Sequence, residues 1–516
     1  MDNARADQRI DLTRARVLVA GAGTAGRSAA RYLCGIGASV TVADARFTDG
    51  EGDDLLTDLG ADLVAIATVL DDDARFAQID LVITSPGFAP THPLMAAAAA
   101  AGVPVWGEVE LAWQVDRSGQ LGAPRTWLVV TGTNGKTTTV SMLADIVAAA
   151  GREGAACGNI GLPVLDAMTR EPRVEVLCVE MSSFQLHWAP SVVPAAGVVL
   201  NVAEDHLDWH GSFDAYADAK TGALRGPIGV VGLDDPVAAH LPVSGRRVGC
   251  TLGPPADGQL GVLDGQLVDR AFGPDAQPRT LLAAEEITPA GPSGVADALA
   301  ASALALAIGI SPHDAATALR DFAPGAHRGD VVARVDEVDY IDDSKATNPH
   351  AAEAAIRAHR RVVLIAGGLL KGAEVDDMIR ATHDRLAGVV AIGRDREQIV
   401  DAIARHAPEV PTVTVFTGDD GLVTVQGAMT EQDLPGDRGK VAEVDAAEVD
   451  AAVAVMDHAV AVAAHLARTA ADTPDAVLLA PAAASLDMFA GYGRRGDAFA
   501  DAACALPGAI DARPAR

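Results

Sequence analysis

Short apolar runs of about five residues recur along the chain, each leading into a Gly-rich or polar turn and then into helical spacing. Arg16-Val17-Leu18-Val19-Ala20 predicts a buried strand, Gly21 to Gly26 a turn, and the residues to about Gly35 a helix. Val40 to Asp44 predicts the next strand. Leu81 to Thr84 predicts a third, ending in a Ser85-Pro86-Gly87 turn where backbone can approach a ligand. An Ala-rich helix around Leu94 to Ala101 and a strand at Val103 to Val105 follow. Trp127 to Val130 predicts a strand entering a Gly-rich turn, and Val140 to Ala150 the helix leaving it. Further strands are predicted at Val176–Glu180, Val198–Val202, Val338–Asp342 and Val362–Ala366, and a helix at Tyr216–Lys220. Strands alternating with helices predict an α/β protein with parallel sheets, and 516 residues allow roughly three domains. Between Val415 and Thr473 lies an acidic segment. Its Val449-to-Arg468 half has helical apolar spacing, while Gly427 to Lys440 reads as a loop without catalytic role.

Charge narrows the choice of partners. Lys and Arg number 40 against 70 Asp and Glu, a net charge of −30, which argues against a nucleic-acid or anionic-membrane surface. An anionic ligand is still allowed, because a local loop can be positive while the body is negative. Five scattered cysteines without a C-x-x-C fit free thiols in a reducing compartment. The polar stretch Met1 to Arg16 has no signal-peptide core, and no run approaches 18 uninterrupted apolar residues. A soluble, cytoplasmic protein with no membrane insertion is expected.

Two Gly-rich turns carry candidate chemistry. Gly132-Thr133-Asn134-Gly135-Lys136-Thr137-Thr138 follows a strand and opens a helix, the layout of a phosphate-binding loop. Loop amides face the anion, Lys136 supplies a point charge, and the Thr137 hydroxyl can reach Mg²⁺. It is the short form G-x-x-G-K-[ST], with Val130 where a longer motif has Gly. An ordinary turn with a surface lysine has the same letters. Gly21, Gly23 and Gly26 meet the G-x-G-x-x-G spacing of a Rossmann turn, and Asp44 ends the next strand. That pattern leaves a dinucleotide, another nucleotide diphosphate, and a bare scaffold all open. Glu180 and His206 follow strands of the sheet that carries Lys136, where ligands of parallel sheets gather. Lys220 alone would read as a solvated charge.

Six segments in order, GTNGKT (132–137), GNIG (158–161), VEMSSFQL (179–186), NVAEDHLDWH (201–210), DSKATN (343–348) and APAAASLDMF (480–489), resemble the Mur ligases, ATP-dependent amino-acid-adding enzymes of peptidoglycan synthesis. Within the family the last two segments resemble the D-glutamate-adding branch. The resemblance covers about residues 16 to 500. It implies three domains: a Rossmann-like domain at 1–107 that binds the UDP substrate, a central P-loop-type ATPase domain at 108–324, and a C-terminal Rossmann-like domain at 325–516 that binds the amino acid.

The resemblance also implies roles. ATP would be held by Gly132, Thr133, Asn134, Gly135, Lys136, Thr137 and Thr138, with Arg328 and Asp343 from the last domain. Two Mg²⁺ ions would be held by Thr137, Glu180, His206 and Lys220, the lysine as a carbamate. The UDP-sugar would meet Gly23, Thr24, Ala25, Asp44, Arg46, Gly87, Asn159, Ser182 and His206, which turns the first Gly turn away from NAD. D-Glutamate would meet Thr347, Lys371, Ser485, Leu486 and Tyr492. Lys136, His206, Lys220 and Lys345 would be catalytic. The implied reaction joins D-glutamate to UDP-N-acetylmuramoyl-L-alanine through an acyl phosphate, releasing ADP and phosphate, in a monomer whose hinges lie near Gly107 and Pro324.

Three positions depart from the family pattern. Gly294 stands where an Asn often touches adenine, Tyr492 where Phe is usual, and Ala483 where Cys is frequent. The rivals are a Mur ligase for another amino acid, a nicotinamide-binding oxidoreductase built on the first Gly turn, and a nucleotide-gated scaffold without turnover. The segment of Ser485 and Tyr492 and DSKATN weigh against the first, and the second leaves the loop at Lys136 unexplained.

Overall fold

The computed structural model describes residues 10–47, 52–71, 73–273, 277–418, 422–428 and 451–513. The predicted loop at Gly427 to Lys440 lies almost wholly outside them.

Three α/β sheets form. The first contains β1 (Arg16–Ala20), β2 (Ser39–Asp44), β3 (Asp62–Ala65), β4 (Leu81–Thr84) and β5 (Val105–Gly107), all parallel, in the order β3-β2-β1-β4-β5. The segment at Leu81 is thus the fourth strand, not the third. β3, four residues long with no fully buried position, carries too little apolar pattern to stand out. The last strand sits two residues later than expected, at Val105–Gly107. Strand order reverses beside β1, so the turns after β1 and β4 lie together at the switch point where α/β sheets take ligands.

The second sheet has nine strands: β6 (Thr126–Thr131), β7 (Gly154–Gly158), β8 (Val176–Glu180), β9 (Ala196–Val199), β10 (Ile228–Gly232), β11 (Arg246–Cys250), β12 (Gln259–Leu263), β13 (Gln266–Asp269) and β14 (Arg279–Ala283). Their order is β14-β13-β12-β11-β10-β9-β6-β8-β7. β6 lies between β8 and β9, parallel to both and buried on both faces over Trp127–Thr131, which is why it reads as a continuous apolar run. The far end, β12-β13-β14, is antiparallel, unlike the parallel arrangement expected.

The third sheet holds β15 (Asp330–Val335), β16 (Val338–Asp342), β17 (Val362–Gly367), β18 (Leu386–Ile392), β19 (Thr412–Thr417), β20 (Val423–Gly427), β21 (Ala476–Leu479) and β22 (Ile510–Asp511), in the order β20-β19-β18-β17-β21-β16-β15-β22. Its inner strands are parallel, with antiparallel edges at β20, β15 and β22. The chain divides into two compact units. One runs to Thr288 and includes Gly294–Phe322, with the first two sheets; the other is Pro289–Ser293 and the residues from Ala323, with the third.

The helix Ala451–Thr469 matches the predicted apolar spacing. By length and composition alone it could cross a membrane, but Met456, Ala459 and Val460 are fully buried in the core of the third sheet. The helix Glu108–Ser118, entered through Gly107, is tied to the second sheet's layer by buried carboxylates. Glu108 accepts from Leu165 N (2.8 Å) and Glu110 from Ser191 N (3.0 Å). Asp116 accepts from Trp127 Nε1 (3.0 Å) and pairs with Arg125, itself buried (2.9 Å).

Candidate active site

In the first unit the chemistry gathers at the C-terminal ends of β6, β8 and β9. β6 ends at Thr131, and Gly132–Gly135 turn the chain into the helix Lys136–Ala149. Gly135 is left-handed (φ +82°), and a Cβ there would run into the Asp297 carboxylate, so only glycine fits. The turn is clamped by Asn201, just past β9: Thr133 N and Asn134 N donate to Asn201 Oδ1 (3.0 and 2.9 Å). Thr133 Oγ1 also meets Tyr216 Oη (2.9 Å). Lys136 Nζ donates to Gly132 O (3.0 Å) and Thr133 O (2.8 Å). Thr138 is buried beside the loop.

Glu180, 2 % exposed at the end of β8, holds two predicted residues at once. Thr137 Oγ1 donates to Oε2 (2.6 Å) and Asn159 Nδ2 to Oε1 (2.9 Å). A buried carboxylate needs such partners. Lys220 is not the solvated charge its helix suggests. It is 1 % exposed, donates to Gly132 O (2.8 Å) and lies 4.4 Å from the Tyr216 ring centroid. Burial, with the Lys136 charge adding to it, holds its ammonium well below the ordinary range, which favours a neutral amine. His206 takes a left-handed backbone (φ +55°), faces Asp205 (3.4 Å) and packs on the Phe184 ring (4.7 Å). Ser182 is engaged in a capping box with Gln185.

The Thr137 hydroxyl and Glu180 carboxylate are hard oxygen donors already in contact, a pair that suits Mg²⁺. Among the described residues no cluster of three or more His, Cys, Asp or Glu gathers, so a fuller cation shell needs donors of other kinds. At the opening of the helix Pro292–Ala307, Gly294 is buried. One turn on, Asp297 accepts from Thr139 Oγ1 (3.0 Å) and reaches the loop at Gly135.

At the first sheet's switch point Gly23, Thr24 and Ala25 open the helix Thr24–Gly35, and a Cβ on Gly23 would meet nothing within 4 Å. Asp44 Oδ2 accepts from Ala22 N (2.7 Å). Arg46 lies along both carboxylate oxygens (2.9 and 3.0 Å) and holds the group well below the usual carboxylate range. Gly87 is exposed beyond β4.

In the second unit, loops after β16, β17 and β21 converge. Asp343 N donates to Leu479 O (3.0 Å), Ala482 N to Ala346 O (3.0 Å), and Leu369 and Ala484 exchange backbone bonds (2.8 and 2.9 Å). These ties bring the segments bearing Lys345, Thr347, Lys371, Ser485 and Leu486 to one sheet edge. Lys345 Nζ lies 4.1 Å over the Tyr492 ring, and Leu486 and Tyr492 are exposed. Burial, reinforced by Asp342, pushes the Asp343 carboxyl up to about 7, against the opposing pull of Arg328. His327, left-handed at φ +65°, bonds Asp342 through Nδ1 (2.6 Å), and its carbonyl accepts from Lys345 N (3.2 Å).

Three further residues belong to these sites. Asn201 falls inside the expected strand Val198–Val202, but β9 ends at Val199 and leaves it in the loop beyond. Arg495, 1 % exposed, braces Ser344 (Nε to Oγ, 3.0 Å) and Ala483 O (3.1 Å) across 151 and 12 residues, and nothing local marks it. Asp395 follows Gly393 after β18, a strand-then-glycine turn that could have flagged it.

The family profile described as "Mur ligase MurD-like, N-terminal domain" matches residues 15–107, and "Mur ligase middle domain" matches residues 130–249. The chain is 54% identical over 503 residues to the UDP-N-acetylmuramoylalanine–D-glutamate ligase of Rhodococcus jostii (strain RHA1), covering 96% of each. It is 53% identical over 498 residues to the ligase of that name from Mycolicibacterium smegmatis, covering 96% and 97%. In fold it is similar to the crystal structure of UDP-N-acetylmuramate-alanine ligase from Thermotoga maritima, with a TM-score of 0.51 at 16% identity over 95% of this chain and 99% of that one.

Proposed function

The chain belongs to the Mur ligase family, and on that footing we propose that it is the ATP-dependent ligase that joins D-glutamate to UDP-N-acetylmuramoyl-L-alanine. The observation that carries this is the 54% identity spread over 96% of both chains with a relative of that name. The acceptor edge agrees in chemistry: a dicarboxylate entering a protein of net charge −30 needs local cations, and Lys345 and Lys371 share that edge.

In the proposed reaction the alanyl carboxylate attacks the γ-phosphorus of ATP. The bond to the β-phosphate oxygen breaks and ADP leaves. The D-glutamate nitrogen then attacks the acyl carbon, a tetrahedral intermediate forms, and it expels phosphate as the amide bond closes. The protein mainly positions the reactants and offsets charge. Lys136 and those amides of the loop 132–138 that Asn201 does not hold take the phosphates, and Arg328 and Asp343 complete the nucleotide's surroundings. Lys345 faces the transferred phosphoryl group. Thr347, Lys371, Ser485, Leu486 and Tyr492 recognise the acceptor. Gly23, Thr24, Ala25, Asp44, Arg46, Gly87, Asn159, Ser182 and His206 hold the UDP-sugar.

Thr137, Glu180, His206 and Lys220 would hold Mg²⁺ at two sites, where the ion would neutralise phosphate charge. Lys220 takes part as a carbamate. Its neutral amine adds to the carbon of CO₂, a proton leaves, and an anionic oxygen donor results. The near-complete burial of the amine supports this, since only the unprotonated form is nucleophilic. The working divisions are 1–107, 108–324 and 325–516. The enzyme acts as a monomer in the cytoplasm, where its nucleotide substrates are found.

The test is phosphate release with UDP-N-acetylmuramoyl-L-alanine and ATP, offering D-glutamate, L-alanine or diaminopimelate as acceptor. Release with D-glutamate alone is expected. Release that does not depend on D-glutamate would overturn the assignment.

A further inference from the structure

The acceptor edge is braced from a direction the reaction scheme does not use. β18 lies beside β17 and parallel to it, so its exit loop, Gly393-Arg394-Asp395, emerges next to the loop bearing Lys371. Gly393 is left-handed (φ +78°) and packs so closely on Gly368 that a Cβ would stand 2.6 Å from Gly368 Cα and 2.7 Å from Asp487 Oδ2. This approach allows three bonds. Arg394 N donates to Asp487 Oδ2 (2.8 Å), on the loop of Ser485 and Leu486. Asp395 N donates to Gly368 O (3.0 Å), and Asp395 Oδ2 accepts from Leu370 N (2.8 Å), the residue before Lys371.

Lys371 itself has φ +53°, a left-handed backbone that a lysine adopts only when its surroundings hold it there. Its path follows two glycines, Gly367 (φ +118°) and Gly368 (φ +136°), which left alone would let the loop wander. The Asp395 carboxylate fixes the peptide N–H next to the strained residue, and its own N–H fixes the carbonyl of Gly368. Both ends of the two-residue approach to Lys371 are therefore pinned by one side chain and its backbone.

We propose that Asp395 is a positioning residue for Lys371, holding its ammonium where the acceptor amino acid's carboxylate must bind. The proposal rests on the D-glutamate reading above. Asp395 touches no substrate. It sets the direction of a cation whose lever arm is four methylenes long, so a small turn of the Lys371 backbone displaces the charge far more than it displaces the loop.

The experiment uses full-length enzyme and steady-state phosphate release. Asp395→Ala raises the KM for D-glutamate about tenfold, the size of one lost charge-assisted hydrogen bond. The KM values for ATP and for the UDP-sugar stay within about twofold. Asp395→Asn, which keeps an acceptor oxygen, restores most of the affinity, and Asp395→Glu, displaced by one methylene, does not. In a Lys371→Ala background, Asp395→Ala adds nothing further to the D-glutamate KM, because the group it positions is gone. An unchanged D-glutamate KM in Asp395→Ala, a parallel rise of all three KM values, or full additivity with Lys371→Ala would overturn the proposal. Should Asp395→Ala not fold, Asp395→Glu and Asp395→Asn carry the same comparison. Wild-type enzyme without D-glutamate-dependent turnover would instead sink the functional reading, so the two failures are distinct.

Discussion

Asp343 offers a test that needs no substrate. Replacing its carboxylate by the amide of Asn changes charge and almost no volume. In the folded protein the carboxyl titrates near 7, raised from an ordinary 3.8 by burial and by its neighbour Asp342. At 1.36 kcal/mol per tenfold in proton affinity, that difference corresponds to about 4 kcal/mol. The group keeps some solvent contact, so about half, ~2 kcal/mol, is a sounder figure. The sign follows from proton counting. Between pH 4 and pH 7 the folded state holds a proton that the unfolded chain has lost, so raising the pH through this window removes stability, and above about 7 the loss is complete. Asp343→Asn escapes it. Thermal melts at pH 4.5 and pH 8 should differ: near-coincidence at the lower pH, and a variant melting about 4–8 °C higher at pH 8. Turnover should fall at pH 8, where the wild-type carboxyl is ionised and the amide cannot supply the charge proposed to act near the nucleotide; at pH 4.5, where the wild-type group is itself neutral, the two should differ little. A variant that melts lower at pH 8, or by the same margin at both pH values, would refute the reasoning.

Other perturbations have equally definite outcomes. Gly496→Ala places a methyl against the His327–Asp342 pair, within 3 Å of both Asp342 oxygens; it should lower kcat at least tenfold, and activity within twofold of wild type would contradict the steric reading. Lys220→Arg puts a permanent cation where the wild type has a neutral amine, and it cannot form the carbamate; kcat should fall more than a hundredfold, and bicarbonate depletion should depress only the wild type. Asp116→Ala strips Arg125, buried at 2 % side-chain exposure, of its partner and Trp127 of its acceptor; urea unfolding should show a loss of about 3–5 kcal/mol, whereas a loss under 1 kcal/mol would refute the buried-pair argument.

Much of this fold can be read from local letters because local letters cause it. The run Trp127–Val130 is a strand buried on both faces, and Gly135 is a glycine because Asp297 leaves no room for a Cβ. β3 escaped notice since its four residues are only partly buried and so carry little pattern. The antiparallel end β12-β13-β14 depends on pairing rather than on periodicity, which is the same for either direction. Lys220 illustrates the limit most plainly. Its helix says "surface", and only the packing of Tyr216 and Gly132 around it says otherwise. Arg495 and Asp395 act through partners 151 and 25 positions away, separations that no window along a single chain can register.

The bonds of Lys136 to Gly132 O and Thr133 O bear on the heat of nucleotide binding. An ammonium already satisfied by two carbonyls must be exchanged, not merely captured. A triphosphate that takes it trades bonds of similar strength, so the association should release little heat from this contact and draw instead on freed water and counterions. A nucleotide lacking the terminal phosphates has nothing to trade. Discrimination against AMP would then come from a contest the loop wins by default, with the protein's own backbone as the competitor.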